Sequence, residues 1–443
     1  MKSFRHVVQR ATWIAIILIA FDATRLAAAE AALEPRPDDP YFAKFQPRLA
    51  PPVGNLLLKP GDRLAIIGDS ITEQKMYSRI IETYLTVCVP QLKVTARQFG
   101  WSGETAEGFV HRMTNDCLRF HPTIATLCYG MNDHRYRAYD EGTARWYREN
   151  YTAIVRSLED AGARVVLGSP GCVGRTPRWA PNTNTPLEVL NLNLCQLRNI
   201  DIDIAAQEHA RFADVFWPML TAGFKARHEY GADYALPGKD GVHPGWAGHL
   251  VMAYEFLKAM GLDGDIGTFS VDLASGKATA SAGHTVDGFA NGKLTITSTR
   301  YPFCASGALD RDDSIRSGMT LVPFNADLNR LTLKVSGGTA TNYAVTWGNE
   351  SRTYTAAQLA SGVNLVDDFA VNPFSEAFEK VDAAVAAKQK YETRQIKDLF
   401  HGPEGKTDIT TTVALTEEVR APLADAIATA FVPVTHTILI EPK

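Results

Sequence analysis

Arg63-Leu64-Ala65-Ile66-Ile67-Gly68-Asp69-Ser70-Ile71-Thr72 is the stretch whose reading decides the fold. Ile66 and Ile67 make the continuous apolar run of a parallel-sheet strand. Gly68 permits a sharp turn without a Cβ clash. Behind the turn, Met76, Ile80, Tyr84 and Cys88, with Tyr77, Ile81 and Leu85 beside them, recur at helical spacing. Ser70 therefore falls between the carboxyl end of a strand and the amino end of a helix, where open α/β sheets place their ligands. A serine there is either a helix cap or a nucleophile whose own N–H steadies an oxyanion. The rest of the chain has to decide between them.

Outward from this stretch, strand and helix signals alternate over residues 61–264. Strands are expected at 93–99, 123–129, 164–167 and 212–216, and helices at 103–118, around Tyr147 to Leu158, around Leu190 to Ile204 and at 245–260. Such alternation predicts a parallel sheet covered on both faces. Residues 30–60 carry seven prolines (Pro35, Pro37, Pro40, Pro47, Pro51, Pro52 and Pro60) and read as a linker or a strap lying on the next domain. After about residue 265 the texture changes. Short β-like runs at 269–272, 293–297, 331–335 and 343–347 sit between turn residues, which predicts a β-rich accessory region over 265–443. Within it a charged amphipathic helix is expected at 373–400, with Phe378 and Val381 inward. Further strands are expected at 410–415 and 436–440, with a helix at 422–430 between them. Trp347 and Tyr343 read equally as core or as a binding platform.

The 443 residues are 45% hydrophobic and 21% charged, ordinary globular values with room for two or three domains. The net charge of −4 gives no reason to expect nucleic acid as a partner. Lys2, Arg5 and Arg10 precede an apolar run at 11–21 that is too short to span a bilayer, and Ala27-Ala28-Ala29 offers a cleavage site. Residues 1–29 are therefore expected to be a signal peptide, giving a secreted or periplasmic protein with no stable membrane insertion after cleavage. Its removal lowers the net charge by 3, from −4 to −7. Cys88, Cys117, Cys128, Cys172, Cys195 and Cys304 allow 15 full disulfide pairings, or buried thiols instead, and Cys128 lies in an expected core strand. No metal or cofactor motif is present, and none is expected.

Three further stretches fall at strand ends or just before the last helix: Gly100-Trp101-Ser102-Gly103-Glu104-Thr105, Gly130-Met131-Asn132-Asp133 and Asp240-Gly241-Val242-His243-Pro244. Acyl transfer needs these residue types. His243 would take the proton of Ser70, and Asp240 would hold the imidazole tautomer. The N–H groups of Ser70 and Gly103 and the side-chain amide of Asn132 would receive an oxyanion. Asp69 reads as a buttress of the turn.

In this order the four blocks resemble the SGNH (GDSL-type) hydrolase family. The match runs over roughly residues 61–260, with Gly68-Asp69-Ser70 as the first block, Gly103 as the second, Gly130 to Asp133 as the third and Asp240 to His243 as the last. The resemblance implies a flavodoxin-like three-layer α/β/α domain and metal-free hydrolysis of esters. The second block departs from it: members often place Asn near the glycine, where this chain has Trp101-Ser102-Gly103.

Rival motifs fail. No Gly-x-Ser-x-Gly elbow occurs, and His228-Glu229 lacks a second histidine at the zinc-protease spacing. The remaining histidines, His249 among them, read as surface or core residues. Substrate is less defined. Trp101 and Trp179 are candidates to stack on a sugar ring, and Arg135 and Arg137 either bind an acidic group or are solvated. The expectation is a serine esterase for short acyl esters, acetyl above all, with an acylated carbohydrate as candidate substrate. A lipase or lysophospholipase, an acyltransferase, and a non-catalytic carbohydrate-binding protein on an esterase scaffold are the alternatives.

Overall fold

Five short strands, β1 (Arg63–Gly68), β2 (Thr95–Gln98), β3 (Ile124–Cys128), β4 (Arg164–Gly168) and β5 (Arg211–Ala213), form an all-parallel sheet in the order β2-β1-β3-β4-β5. The computed structural model describes residues 32–443, and Leu33–Lys443 make one compact unit. The signal-peptide reading of 1–29 lies outside the described residues. Between and after the strands come α1 (Ser70–Glu73), α2 (Tyr77–Val87), α3 (Ala106–Asp116), α4 (Glu141–Asp160), α5 (Leu187–Gln207), α6 (Phe216–Tyr230) and α7 (Trp246–Ala259). Successive side chains of a strand face opposite ways, and this makes the three layers. Leu64 and Ile66 pack with Ile80 and Tyr84 of α2 and with Phe256 of α7. Ala65 and Ile67 pack with Phe109 of α3 and with Tyr147 and Tyr151 of α4. The strand order reverses direction between β1 and β3, so the crevice at their carboxyl ends is the switch point of the sheet. No helix among the described residues is long and apolar enough to cross a membrane.

Residues 33–60 run along α5 and α6. Phe42 and Phe45 are buried, and both rings lie against Trp217. Asn199 of α5 donates to the Gln46 carbonyl.

Nine further strands follow: β6 (Asp265–Asp272), β7 (Lys277–Ala280), β8 (His284–Ala290), β9 (Lys293–Ser298), β10 (Arg330–Ser336), β11 (Asn342–Trp347), β12 (Glu350–Thr355), β13 (Val363–Asn364) and β14 (Val434–Pro442). They form a four-stranded sheet, β13-β10-β6-β7, and a five-stranded sheet, β12-β11-β14-β9-β8. Phe269 of the first sheet packs on His284 and His436 of the second. Trp347 and Tyr343 are buried, so both belong to the core.

Two long helices, Ser375–Arg394 and Ile409–Ala430, pack on each other and cover the open edge of β2. An unpaired strand edge presents free N–H and C=O groups, and side chains satisfy them here. Lys388 Nζ donates to the Ala96 carbonyl at 2.7 Å, and Glu392 accepts from the Gln98 N–H at 3.1 Å. The strand expected at 410–415 is instead the start of the helix Ile409–Ala430. Asp408 caps it by accepting the Thr411 N–H, and the Thr412 and Thr416 hydroxyls donate back to carbonyls one turn earlier. The strand expected at 212–216 stops at Ala213, because Asp214 leaves the sheet to pair with Arg198 and Phe216 opens α6.

Candidate active site

Asp69 is the residue that caps α1. Its carboxyl oxygen Oδ1 accepts the Ile71 N–H at 2.9 Å. Ser70 is thereby freed from capping, and its Oγ donates to His243 Nε2 at 2.8 Å. On the other side of the ring, His243 Nδ1–H donates to Asp240 Oδ2 at 2.7 Å. That bond fixes the tautomer with Nε2 unprotonated and ready to accept. The other oxygen, Asp240 Oδ1, receives the Val242 and His243 N–H groups, each at 2.9 Å. Burial pushes the Asp240 carboxyl up, but these backbone N–H groups and the imidazole outweigh it and hold it below the ordinary carboxylate range. Asp240 therefore stays ionised beside the ring.

The loop Asp240-Gly241-Val242-His243 makes this unit within four residues. Gly241 has φ +90°, and a Cβ there would meet the Arg175 carbonyl at 2.4 Å, so only glycine fits. The Gly174 N–H donates to the Gly241 carbonyl at 2.8 Å, tying the loop to the segment that carries Trp179. Trp179 is 49% exposed, and its ring centroid lies 5.7 Å from that of His243 and 6.3 Å from that of Tyr136.

Asn132 and Asp133 follow β3. Asp133 is buried and accepts the Gly130 and Ala106 N–H groups, each at 2.9 Å, which ties its loop to the start of α3. Asn132 Nδ2 donates to the Glu104 carbonyl at 2.9 Å and faces Asp69 Oδ2 at 3.4 Å. One N–H of the expected oxyanion donor is thus engaged with the loop after β2, and the other is only loosely held. Burial pushes the Asp69 carboxyl up to about 8, with the charges of Asp133 and Glu104 adding to the effect.

Gly103 is exposed with φ +75° and open space around it. The resemblance drew attention to this glycine, but not to what holds its loop. Glu104 is clamped by Arg112 and by the Tyr129 hydroxyl, and Arg112 also pairs with Asp116. The Ser102 N–H donates to Glu73, and Glu73 pairs with Lys397. Trp101 is half-buried among Arg112, Lys397 and His401, so its ring is engaged with the carboxyl-terminal part of the chain. Arg135 lies over Trp146 and Arg137 bonds Asp140 and Thr143, which occupies both at the surface.

His249 is a buried histidine in contact with this site. Its Nδ1 accepts the Tyr77 N–H, and its Nε2–H donates to Gln74, which in turn donates to the Pro244 carbonyl. Burial pushes it down to about 3. All six cysteines are buried free thiols. Burial raises Cys117 and Cys172 to about 12, which leaves them unreactive.

A parallel sheet of this order, with a serine, a histidine and an aspartate hydrogen-bonded in series at its switch point, defines the SGNH class of α/β/α hydrolase. Residues 66–251 match the model of the GDSL-like lipase/acylhydrolase family, and the chain is a carboxylic ester hydrolase. An acetylxylan esterase of Geobacillus stearothermophilus is 25% identical over 224 residues, which is 46% of this chain and 95% of that protein. A crystal structure of that organism's acetylxylan esterase aligns at 21% identity with a TM-score of 0.39, over 47% of this chain and 97% of the other. A gut microbial diltiazem-metabolizing enzyme shares the fold more widely. Its TM-score is 0.68 at 20% identity, over 88% of this chain and all of that one.

Proposed function

We propose that the chain is a secreted or periplasmic serine esterase that removes short acyl groups, acetyl above all, from carbohydrate esters. The observation that carries this reading is the continuous Ser70–His243–Asp240 chain, with heavy-atom distances of 2.8 and 2.7 Å. Ser70 Oγ attacks the ester carbonyl carbon while its proton passes to His243 Nε2. The imidazolium is steadied by ionised Asp240. The negative oxygen is received by the N–H groups of Ser70 and Gly103 and by the loosely held Asn132 N–H. His243 then gives its proton to the leaving alkoxide, which releases the alcohol and leaves an acyl-Ser70 ester. Water, losing a proton to the same nitrogen, attacks that ester and frees the acid and Ser70.

Trp179 supports a sugar as the alcohol part. It stands half-exposed beside His243 and presents an apolar face next to the reacting atoms. The relative of 25% identity acts, by its name, on acetylated xylan. An apolar cavity of about 620 Å³ does open in this molecule, but between β2 and the helix Ile409–Ala430, and neither Ser70 nor His243 lines it.

The test is hydrolysis of p-nitrophenyl acetate, butyrate and palmitate by the wild type and by Ser70→Ala. Acetate should turn over fastest, and Ser70→Ala should lose activity by about 10³-fold or more. Preference for palmitate would overturn the short-acyl reading, and an active Ser70→Ala would overturn the mechanism.

A further inference from the structure

We propose that Glu73 and Lys397 are positioning residues for this reaction, holding the Trp101–Ser102 peptide so that the next N–H along the chain, that of Gly103, meets the developing oxyanion. The proposal rests on the serine-esterase reading above.

Gly103 cannot hold itself in place. It is exposed, its φ is +75°, and nothing lies within 4 Å of where a Cβ would be. Its N–H direction is therefore set by the peptides on either side. On one side, the Ser102 N–H donates to Glu73 Oε2. Glu73 sits one helical turn after the nucleophile, and its own N–H donates to the Asp69 carbonyl at 3.0 Å. The carboxylate thus links the nucleophile turn directly to the loop that carries the oxyanion donor.

Glu73 needs a counter-charge to keep this orientation, and Lys397 supplies it. Lys397 Nζ lies 2.9 Å from each oxygen of Glu73, with the two side chains only 25% and 19% exposed. The same ammonium stands 5.2 Å from the Trp101 ring, whose backbone N–H donates to the Gly68 carbonyl at 3.0 Å. Lys397 therefore touches both anchors of the loop, the Glu73 carboxylate and the Trp101 ring.

Lys397 is itself fixed. It rides on the π-helical turn Gln395–Phe400, a rare conformation that recurs at functional positions. The helix before it is pinned by Lys388, which is buried between Glu82 at 3.0 Å and Glu392 at 2.9 Å. The carboxyl-terminal region thus reaches Glu73 through one ammonium group, beside the His401 contact on Trp101.

The experiment is steady-state hydrolysis of p-nitrophenyl acetate by the full chain. The variants are Glu73→Ala, Glu73→Gln, Lys397→Met and the double Glu73→Ala/Lys397→Met, each shown by its melting curve to be folded at the assay temperature. Removing an oxyanion donor outright costs about 100–1000-fold in kcat, and loosening one should cost less. Glu73→Ala should lower kcat about 10–100-fold with KM within about twofold, as for an interaction made only in the transition state. Glu73→Gln keeps an acceptor for the Ser102 N–H and should recover part of the loss. The double variant should fall well short of the product of the two single losses, because Lys397 acts largely through Glu73. Wild-type kcat in Glu73→Ala, a loss confined to KM, or independent multiplying losses in the double variant would overturn the proposal. Ser70→Ala with wild-type activity would instead bring down the esterase reading on which it rests.

Discussion

The two loops proposed to serve Ser70 are built in opposite ways. The His243 loop is local: Asp240 holds the ring, and the loop's own N–H groups hold Asp240, all within four residues. The Gly103 loop is a junction. Its supports come from α1, from α3, from Tyr129 beyond β3, and from Lys397 and His401 in the carboxyl-terminal region. A loop of the first kind can be damaged without unfolding the protein. Damage to a loop of the second kind should be felt by the whole fold.

The sharpest break in that comparison is Arg112→Met. Arg112 is 6% exposed and pairs with Glu104 and Asp116, themselves 5% and 1% exposed. Removing one partner of a buried ion pair leaves uncompensated charge and costs about 3–5 kcal/mol. Chemical denaturation should show that loss, and ester hydrolysis should fall with it.

Gly241→Ala should show the opposite pattern. A Cβ at Gly241 would collide with the Arg175 backbone at φ +90°, at a local cost of about 1–3 kcal/mol. Hydrolysis should drop at least tenfold as Asp240 and His243 shift, while the melting temperature falls by only a few degrees. Equal damage to stability from both variants would erase the distinction between the loops.

A pH-dependent effect concerns Asp69, which caps α1 between the two loops. Its carboxyl loses a proton near 3.8 in the unfolded chain and near 8 in the folded one. The unfolded state therefore binds fewer protons across that interval. Stability from this group is complete below about pH 4, declines as pH rises, and is gone above about pH 8. Asp69→Asn keeps an acceptor for the Ile71 N–H but does not titrate. The gap in melting temperature in favour of Asp69→Asn should widen from pH 4 to pH 8 and then stay constant. A gap independent of pH would remove Asp69 as the titrating group.

The same contrast explains what was legible in the sequence. Ser70, Asn132, Asp240 and His243 sit in short blocks whose residue types and order are distinctive, so they could be read without a structure. The strands at 63–68 and 124–128 were legible as apolar runs because both faces are buried, and that at 343–347 because burial of one face leaves an alternation. Lys397 left no local mark: it is one lysine in a charged helical stretch, 324 residues from its partner Glu73. The threonine-rich start of the last long helix, 409–415, misled for another reason. Its β-branched residues favour a strand, but contact with the helix Ser375–Arg394 decided the outcome. Trp101 read as a sugar platform because nothing nearby in sequence announces the arginine, lysine and histidine that surround it.

The five-stranded sheet carries one more consequence. Its middle strand is β14, Val434–Pro442, bonded to β11 on one side and β9 on the other. A ribosome delivers that strand after every other strand of the sheet. Until residue 442 has emerged, β9 and β11 have a gap between them and each offers a bare edge. A message cut short before β14, or a protease removing that nine-residue strand, would therefore yield a sheet split in two, not a slightly shorter enzyme.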